Sequence, residues 1–279
     1  MLNPSSVGSK TEPRAFSYDW KDLALYALGI GATPEELGYL YEARGPKVFP
    51  TFAVVPAMDH MMEGLKLAGV AMEQVIHTAQ RVTSLREAPP SATVVTSAEV
   101  MAIHDLKRFA QVRMHTATRL ESGEPLWETD WWIIVRGEGG FGGSAPPREP
   151  VVSLPERKPR WVREQATSPS QALLYRLSGD INPIHVDPEI ARSVGFERGP
   201  ILHGLATFGF AARAVVMEAC GGDATRLETL HGHFKKPVWP GDTLVTEIWD
   251  ASPERLLLQV RVRERDEVVL GQAWATLRG

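Results

Sequence analysis

PILHGLATFGFAARAVVMEA, residues 200–219, is the stretch that decides the fold. Its apolar residues fall at Ile201, Leu205, Phe208, Ala212, Val215 and Ala219, in steps of 4, 3, 4, 3 and 4. That spacing draws one stripe along a helix, led in by Pro200 and closed by Gly221-Gly222. The period then changes. Leu227–Phe234, Thr243–Trp249, Leu256–Val262 and Val268–Leu277 alternate or run β-rich, with Pro240-Gly241-Asp242 as a turn before Thr243. One helix followed by an antiparallel meander predicts an α+β unit whose sheet wraps round the helix.

The layout occurs twice. A helix is expected over 51–68, led in by Pro50, and strands over Thr93–Ile103, Ala110–Thr118 and Trp127–Val135. Gln111-Val112-Arg113 is echoed by Gln259-Val260-Arg261, and Arg136-Gly137 by Arg278-Gly279, so a duplication is the economical explanation. Between the copies lies GEGGFGGSAPPREPVVSLPERKPR, which has neither helical nor strand period. The chain therefore divides into an N-terminal half, 1–136, a Gly/Pro-rich linker, 137–160, and a C-terminal half, 161–279. Two such units side by side would share an extended sheet. Within the linker, Phe141 gives GGFGG a large apolar residue with which to fold back on the core.

Composition narrows the function. With 43% apolar and 23% charged residues the chain reads as an ordinary globular protein. A net charge of −4 leaves no basic excess for nucleic acid. No run of about 18 apolar residues exists, so no membrane helix is expected. The lone Cys220 sits late in an apolar stretch, where a small core residue is expected, and permits no internal disulfide. The polar N-terminus has no signal-peptide core, and Leu277-Arg278-Gly279 is no peroxisomal address, so a cytoplasmic protein is expected.

The chemistry gathers in Tyr175–Pro188, YRLSGDINPIHVDP. Ser178-Gly179-Asp180 and Asn182-Pro183 are turn formers, so this is an ordered loop carrying Asp180, Asn182 and His185 within six residues. Taken singly, an Asp in a turn is usually an Asx turn or a cap, and a lone His is more often structural. Asp187 before Pro188 reads only as the cap of a short helix, 188–194. What raises Asp180 and His185 above that reading is His203-Gly204 at the start of the apolar helix, where unpaired N–H groups and the helix dipole favour an oxyanion. Carboxylate, imidazole and fixed N–H donor are the parts for proton transfer beside a polarised thioester carbonyl.

At these residues the chain resembles the MaoC-like dehydratases, and within them the hydratase 2 group. The resemblance is carried by 171–204, QALLYRLSGDINPIHVDPEIARSVGFERGPILHG, and by Leu25–Gly31, Pro50–Phe52, Gly139–Gly143 and Phe234–Gly241. It implies a double hot-dog fold, two antiparallel sheets each wrapped round a central helix, with the catalytic loop kept only in the second half. It further implies Asp180 and His185 as the catalytic pair, Asn182 as a holder of the catalytic water, and Gly204 as the N–H donor to the thioester oxygen. His77, Lys107 and Phe234 would contact the ligand, although Thr78 stands where the group usually has glycine. The degenerate first half would give room to the acyl chain, with Met58, Met61, Met62, Leu65 and Leu67 as lining or as plain core.

The activity implied is reversible hydration of a trans-2-enoyl-CoA to an (R)-3-hydroxyacyl-CoA. Rival readings are dehydration of hydroxyacyl groups on acyl carrier protein, a non-catalytic thioester binder, and a hot-dog thioesterase. Lys107, Lys235 and Lys236 suit a CoA phosphate or an acidic carrier equally well. The expected partner is an acyl-CoA, with no nucleic acid, membrane, metal or separate cofactor. His231/His233 and His185/His203 have no cysteine or acid at zinc-motif spacing. Homodimers are common in the family, while two fused units already make one pair.

Overall fold

The computed structural model describes residues 2–279. Ten strands form one antiparallel sheet: β1 (Arg14–Tyr18), β2 (Val75–Ser84), β3 (Ala92–Asp105), β4 (Phe109–Leu120), β5 (Pro125–Arg136), β6 (Trp161–Ala166), β7 (Leu227–Phe234), β8 (Thr243–Ser252), β9 (Arg255–Val262) and β10 (Glu267–Leu277). Their order is β1-β3-β4-β5-β2-β7-β10-β9-β8-β6. Each half thus runs edge strand, central helix, seam strand and three-strand meander, and the two halves mirror one another across β2–β7. The duplication seen in the sequence is also a duplication of topology. The two sheets expected are one continuous sheet, because Ala79–Thr83 of β2 pairs with Thr229–His233 of β7. Pairing the seam strands satisfies backbone groups that two separate sheets would leave at open edges.

Six α-helices complete the fold among the described residues: α1 (Trp20–Gly29), α2 (Leu37–Leu40), α3 (Val54–Leu67), α4 (Gln171–Tyr175), α5 (Pro188–Ser193) and α6 (Gly204–Glu218). The central helices α3 and α6 each lie against the strands of their own half. α5 starts where Asp187 accepts N–H bonds from Glu189 and Ile190, the cap that its sequence predicts. α6 starts three residues later than its stripe suggests. The N–H of Ile201 goes to Ile184 O and that of Leu202 to Val238 O, so residues 200–203 are extended and His203 becomes the N-cap.

α6 is buried all round from Leu205 to Val216, not along one stripe. The first half supplies the cover. A side chain at Gly209 would collide with Ile30, and Gly31 lies under the ring of Phe210. Arg213, 2% exposed, donates through Nε and Nη2 to Glu36, both at 2.7 Å. In the first half Met61 and Leu65 are core residues, Met58 and Met62 are half-buried against that core, and Leu67 is exposed.

Residues 137–160 hold no helix or strand, and they form a strap across the outer face of the sheet. Trp132 Nε1 donates to Glu149, Val152 exchanges backbone hydrogen bonds with the Gln272 side chain, and Trp249 Nε1 donates to Arg157 O. GGFGG does fold back, though not through Phe141, which stays 36% exposed. The Asp105 carboxylate takes N–H bonds from Gly140 and Gly142 at 2.9 and 2.8 Å. No helix of the described residues is long and apolar enough to cross a membrane.

Candidate active site

The loop that bears Asp180 grows out of α4 and a 3-10 turn, Arg176–Ser178, ended by Gly179 at φ 118. That φ suits glycine, and it reverses the chain so that the next residue turns inward. Asp180 Oδ1 then accepts from Asn182 N at 3.2 Å, and Asn182 Oδ1 accepts from Ile184 N at 3.2 Å. The second bond caps the 3-10 turn Pro183–His185, which carries His185 into the interior at 7% exposure. The local turn chemistry and the clustering of acid and imidazole are therefore one arrangement.

His185 is fixed by what surrounds it. Its Nδ1 lies 2.9 Å from Ile201 O. A carbonyl only accepts, so Nδ1 carries the proton and Nε2 keeps its lone pair. Burial holds the imidazole below its usual range against the pull of Asp180 and the Ile201 carbonyl, so the ring is neutral. His203, wholly buried, stacks on it with ring centroids 3.7 Å apart and planes at 24°. The Nε2–H of His203 donates to the backbone oxygen of Asp180 at 3.0 Å. Asp180, His185 and His203 each bring one polar side-chain atom to within 4.8 Å of the others.

Gly204 opens α6, where first-turn N–H groups have no helical acceptor. A Cβ there would stand 3.3 Å from Phe234 Cε1. Phe234 meets the ring of His77 edge-on at 4.9 Å, and His77 stacks on Trp131 at 5.3 Å. His77 Nε2–H donates to Ala79 O at 3.0 Å, and burial pushes the ring down to about 4. Thr78 is accommodated in a β-bulge, its hydroxyl donating to Trp132 O at 2.9 Å. Thus Asp180, His185, Gly204, Phe234 and His77 gather around the start of α6. Asn182 belongs to the same loop but is exposed. Lys107 lies apart, exposed on the turn between β3 and β4, with Gly139 seated against its carbonyl.

The elements that hold this loop include several with no local sequence mark. α1 of the first half buttresses α4, where Gln171 Nε2 donates to Leu28 O and Gly29 O. Tyr26 packs on Tyr175, with centroids 6.0 Å apart. In the sequence His203 stands out as the neighbour of Gly204 and as a histidine near His185, but no motif in the chain marks it as the partner of Asp180 and His185. The folded chain does bring acids to both histidine pairs, although neither has one at zinc-motif spacing. Glu149 of the strap comes within 4.8 Å of His231 and His233 on the outer face. Burial, and after it the positive charge of Arg81, Arg113 and Lys235, lowers the pKa values of those histidines. The same positive charge disfavours a cation there. Cys220 is buried and its thiol is pushed up to about 11 by burial, as suits a core residue.

Comparison with known proteins agrees with this architecture. Residues 16–137 match the MFE-2 hydratase 2 N-terminal domain, and residues 150–271 match the MaoC like domain. The chain is 38% identical to an Arabidopsis thaliana protein named enoyl-CoA hydratase 2, peroxisomal, over 98% of this chain and 94% of the relative. The compartment in that name does not support the expected cytoplasmic location. A MaoC-like dehydratase from Phytophthora capsici superposes with a TM-score of 0.87 at 30% identity, covering 99% of this chain and 98% of its own. A Mycobacterium tuberculosis protein described as a double hotdog fold shares the architecture at a TM-score of 0.62 and 15% identity, over 98% of this chain and 97% of its own. The fold is accordingly the double hot-dog, and the chain belongs to the MaoC-like family, in its hydratase 2 branch.

Proposed function

We propose that this protein adds water reversibly to trans-2-enoyl-CoA, giving the (R)-3-hydroxyacyl-CoA. The observation that carries the reading is the neutral His185, its Nδ1–H tied to Ile201 O, beside Asp180 at the start of α6. A base held in one tautomer offers its Nε2 lone pair to water without first having to reorient. The first-turn N–H of Gly204 suits the thioester oxygen as enolate charge builds on it. His185 takes the proton as the water oxygen bonds to C3. The proton returns through Asp180 to C2, so the pair ends in its starting protonation state. Asn182, with its oxygen spent on Ile184 N, has its amide NH2 to offer the water. His77 and Phe234 would flank the thioester, and Lys107 with the glycine strap would meet the nucleotide end. The reading needs no metal and no cofactor beyond the thioester itself.

The test is product analysis on crotonyl-CoA. Hydration to the (R)-3-hydroxy isomer is expected. The (S) isomer would overturn the stereochemical assignment, CoA release would mark a thioesterase, and binding without turnover a carrier of thioesters. Asp180→Asn and His185→Gln keep size and remove proton transfer, so each should lower the hydration rate by about 10²- to 10⁴-fold. Affinity for the product thioester should stay close to that of the wild type. Near-normal turnover by either folded variant removes that residue from the mechanism. A cytoplasmic location, expected from the sequence, is open to cell fractionation against a peroxisomal marker.

A further inference from the structure

His203 stands outside the proton-transfer pair yet holds both of its members. One face of its ring lies on His185, with centroids 3.7 Å apart. Its Nε2–H donates to the backbone oxygen of Asp180 at 3.0 Å. Tyr175 closes on it at 4.9 Å, and its own Nδ1 is buried with no hydrogen-bond partner. The residue is 0% exposed and is also the N-cap of α6, directly before Gly204. Its cap position is not used for capping by the side chain. That side chain is spent wholly on the catalytic loop.

We propose that His203 is the positioning residue of this site: its ring sets the plane of His185, and its N–H clamps the Asp180 backbone to the start of α6. The proposal rests on the hydration reading above. Two properties are required at once, a flat ring and a donor at its far edge. Phenylalanine has the first, glutamine the second, and histidine both. The imidazole must also be neutral, since a proton on Nδ1 would be a buried charge with no acceptor. The charged and titratable groups around the pair agree with this. Arg176 opposes a charge on His203, Asp180 offers it only a backbone oxygen, His185 is itself neutral, and the Tyr175 phenol is held protonated by burial. Burial, aided by His185 and Arg176 and opposed by the hydrogen bond to the Asp180 carbonyl, pushes His203 down to about 2.

The experiment compares His203→Phe, His203→Gln and His203→Ala in the full chain. Rates are measured on crotonyl-CoA from pH 5 to 8, as kcat and KM separately. Misplacing a reacting group by about 1 Å can cost about 10²-fold. The alanine variant should therefore lose about 10²-fold in kcat, and the single-property variants about 10-fold each, with KM changing by less than about threefold. Water entering beside His185 should raise its pKa toward the usual value in the alanine and glutamine variants. Their acid limb should then move to higher pH, while that of His203→Phe should stay in place. Nitrogen-15 NMR of the imidazoles reads the same point without turnover. Wild-type His185 should be protonated on Nδ1 alone, and His203→Gln should mix the two tautomers. Unchanged kcat, acid limb and tautomer in any folded variant that has lost the ring would overturn the proposal. His203→Phe still fills the site with a flat ring, so it keeps the test alive if the alanine variant does not fold; a wild-type rate in His203→Phe would overturn the clamp. If wild type fails to hydrate crotonyl-CoA while the tautomer shift occurs, the hydratase reading falls and the positioning role stands.

Discussion

Asp180 and Gly204 show how narrow the tolerances are at the scale of one residue. Asp180 forms an ordinary Asx turn with Asn182, and the same turn faces its carboxylate toward His185. Its bland and functional readings are both true of one geometry. At Gly204 a methyl group would stand 3.3 Å from the Phe234 ring, closer than most such contacts, while the N–H would remain. Gly204→Ala should therefore lower kcat/KM by less than the roughly 10²-fold that follows loss of an oxyanion donor, through crowding of the thioester oxygen. Steady-state kinetics on crotonyl-CoA check this. A larger loss with an intact fold would mean that the methyl closes the site outright.

α6 shows what an element owes to its neighbours. Its stripe predicts a helix with one apolar face, yet Gly209, Phe210 and Arg213 on the opposite face are also buried, under residues 26–36 of the first half. Gly209→Ala sets two effects against each other. Alanine favours the helix by up to about 1 kcal/mol. The added methyl overlaps Ile30, which is wholly buried, and overpacking costs about 1–3 kcal/mol. Overpacking should win, and a net loss of about 1–2 kcal/mol is expected in urea denaturation. A stabilised Gly209→Ala would show that α1 shifts freely, which would also weaken its role as the buttress of α4.

For the whole molecule, the union of the halves is tested at Glu36, which accepts from Arg213 of α6 and, at 3.1 Å, from Arg163 of β6. Glu36 and Arg213 are 8% and 2% exposed as side chains, so Glu36→Gln strands a buried guanidinium and should cost about 3–5 kcal/mol. Glu99→Gln, which frees the exposed Lys10, should cost about 0–1 kcal/mol and serves as the control. Equal denaturation midpoints for the two variants would contradict a buried tie between the halves. Acid should also loosen the molecule. His60, His77, His185, His203, His231 and His233 are all held below the ordinary histidine range, burial being the main cause. Below about pH 6.5 the unfolded chain takes up protons that the folded one refuses, so stability falls as pH falls. For His203 the loss continues down to about pH 2, at up to about 1.4 kcal/mol per pH unit. His115, raised by its bond to Asp130, acts in the opposite sense and gives its stability below the ordinary histidine range. Melting temperatures from pH 7 to 4 should decline; a flat profile would contradict the burial of these rings.

The repeated helix-and-meander layout, the strands of both meanders, the cap at Asp187 and the loop that carries Asp180 and His185 are all written in the sequence. These depend on period and turn chemistry, which act over a few residues and are written in order along the chain. The sequence did not show β1, β2 or β6 as strands. β2 became the seam only by pairing with β7, some 150 residues away, and ladder partners leave no local mark. Nor did it show the cover on α6, the strap held by Asp105, Trp132 and Gln272, or the acid that reaches His231 and His233. Asp180 and His185 were legible because one loop holds both within six residues. The tautomer of His185 and the role of His203 were decided by tertiary structure alone: a carbonyl 16 residues away sets the first, and a ring brought back across 18 residues supplies the second. Proton position follows from which atom faces which, and only the folded chain fixes that.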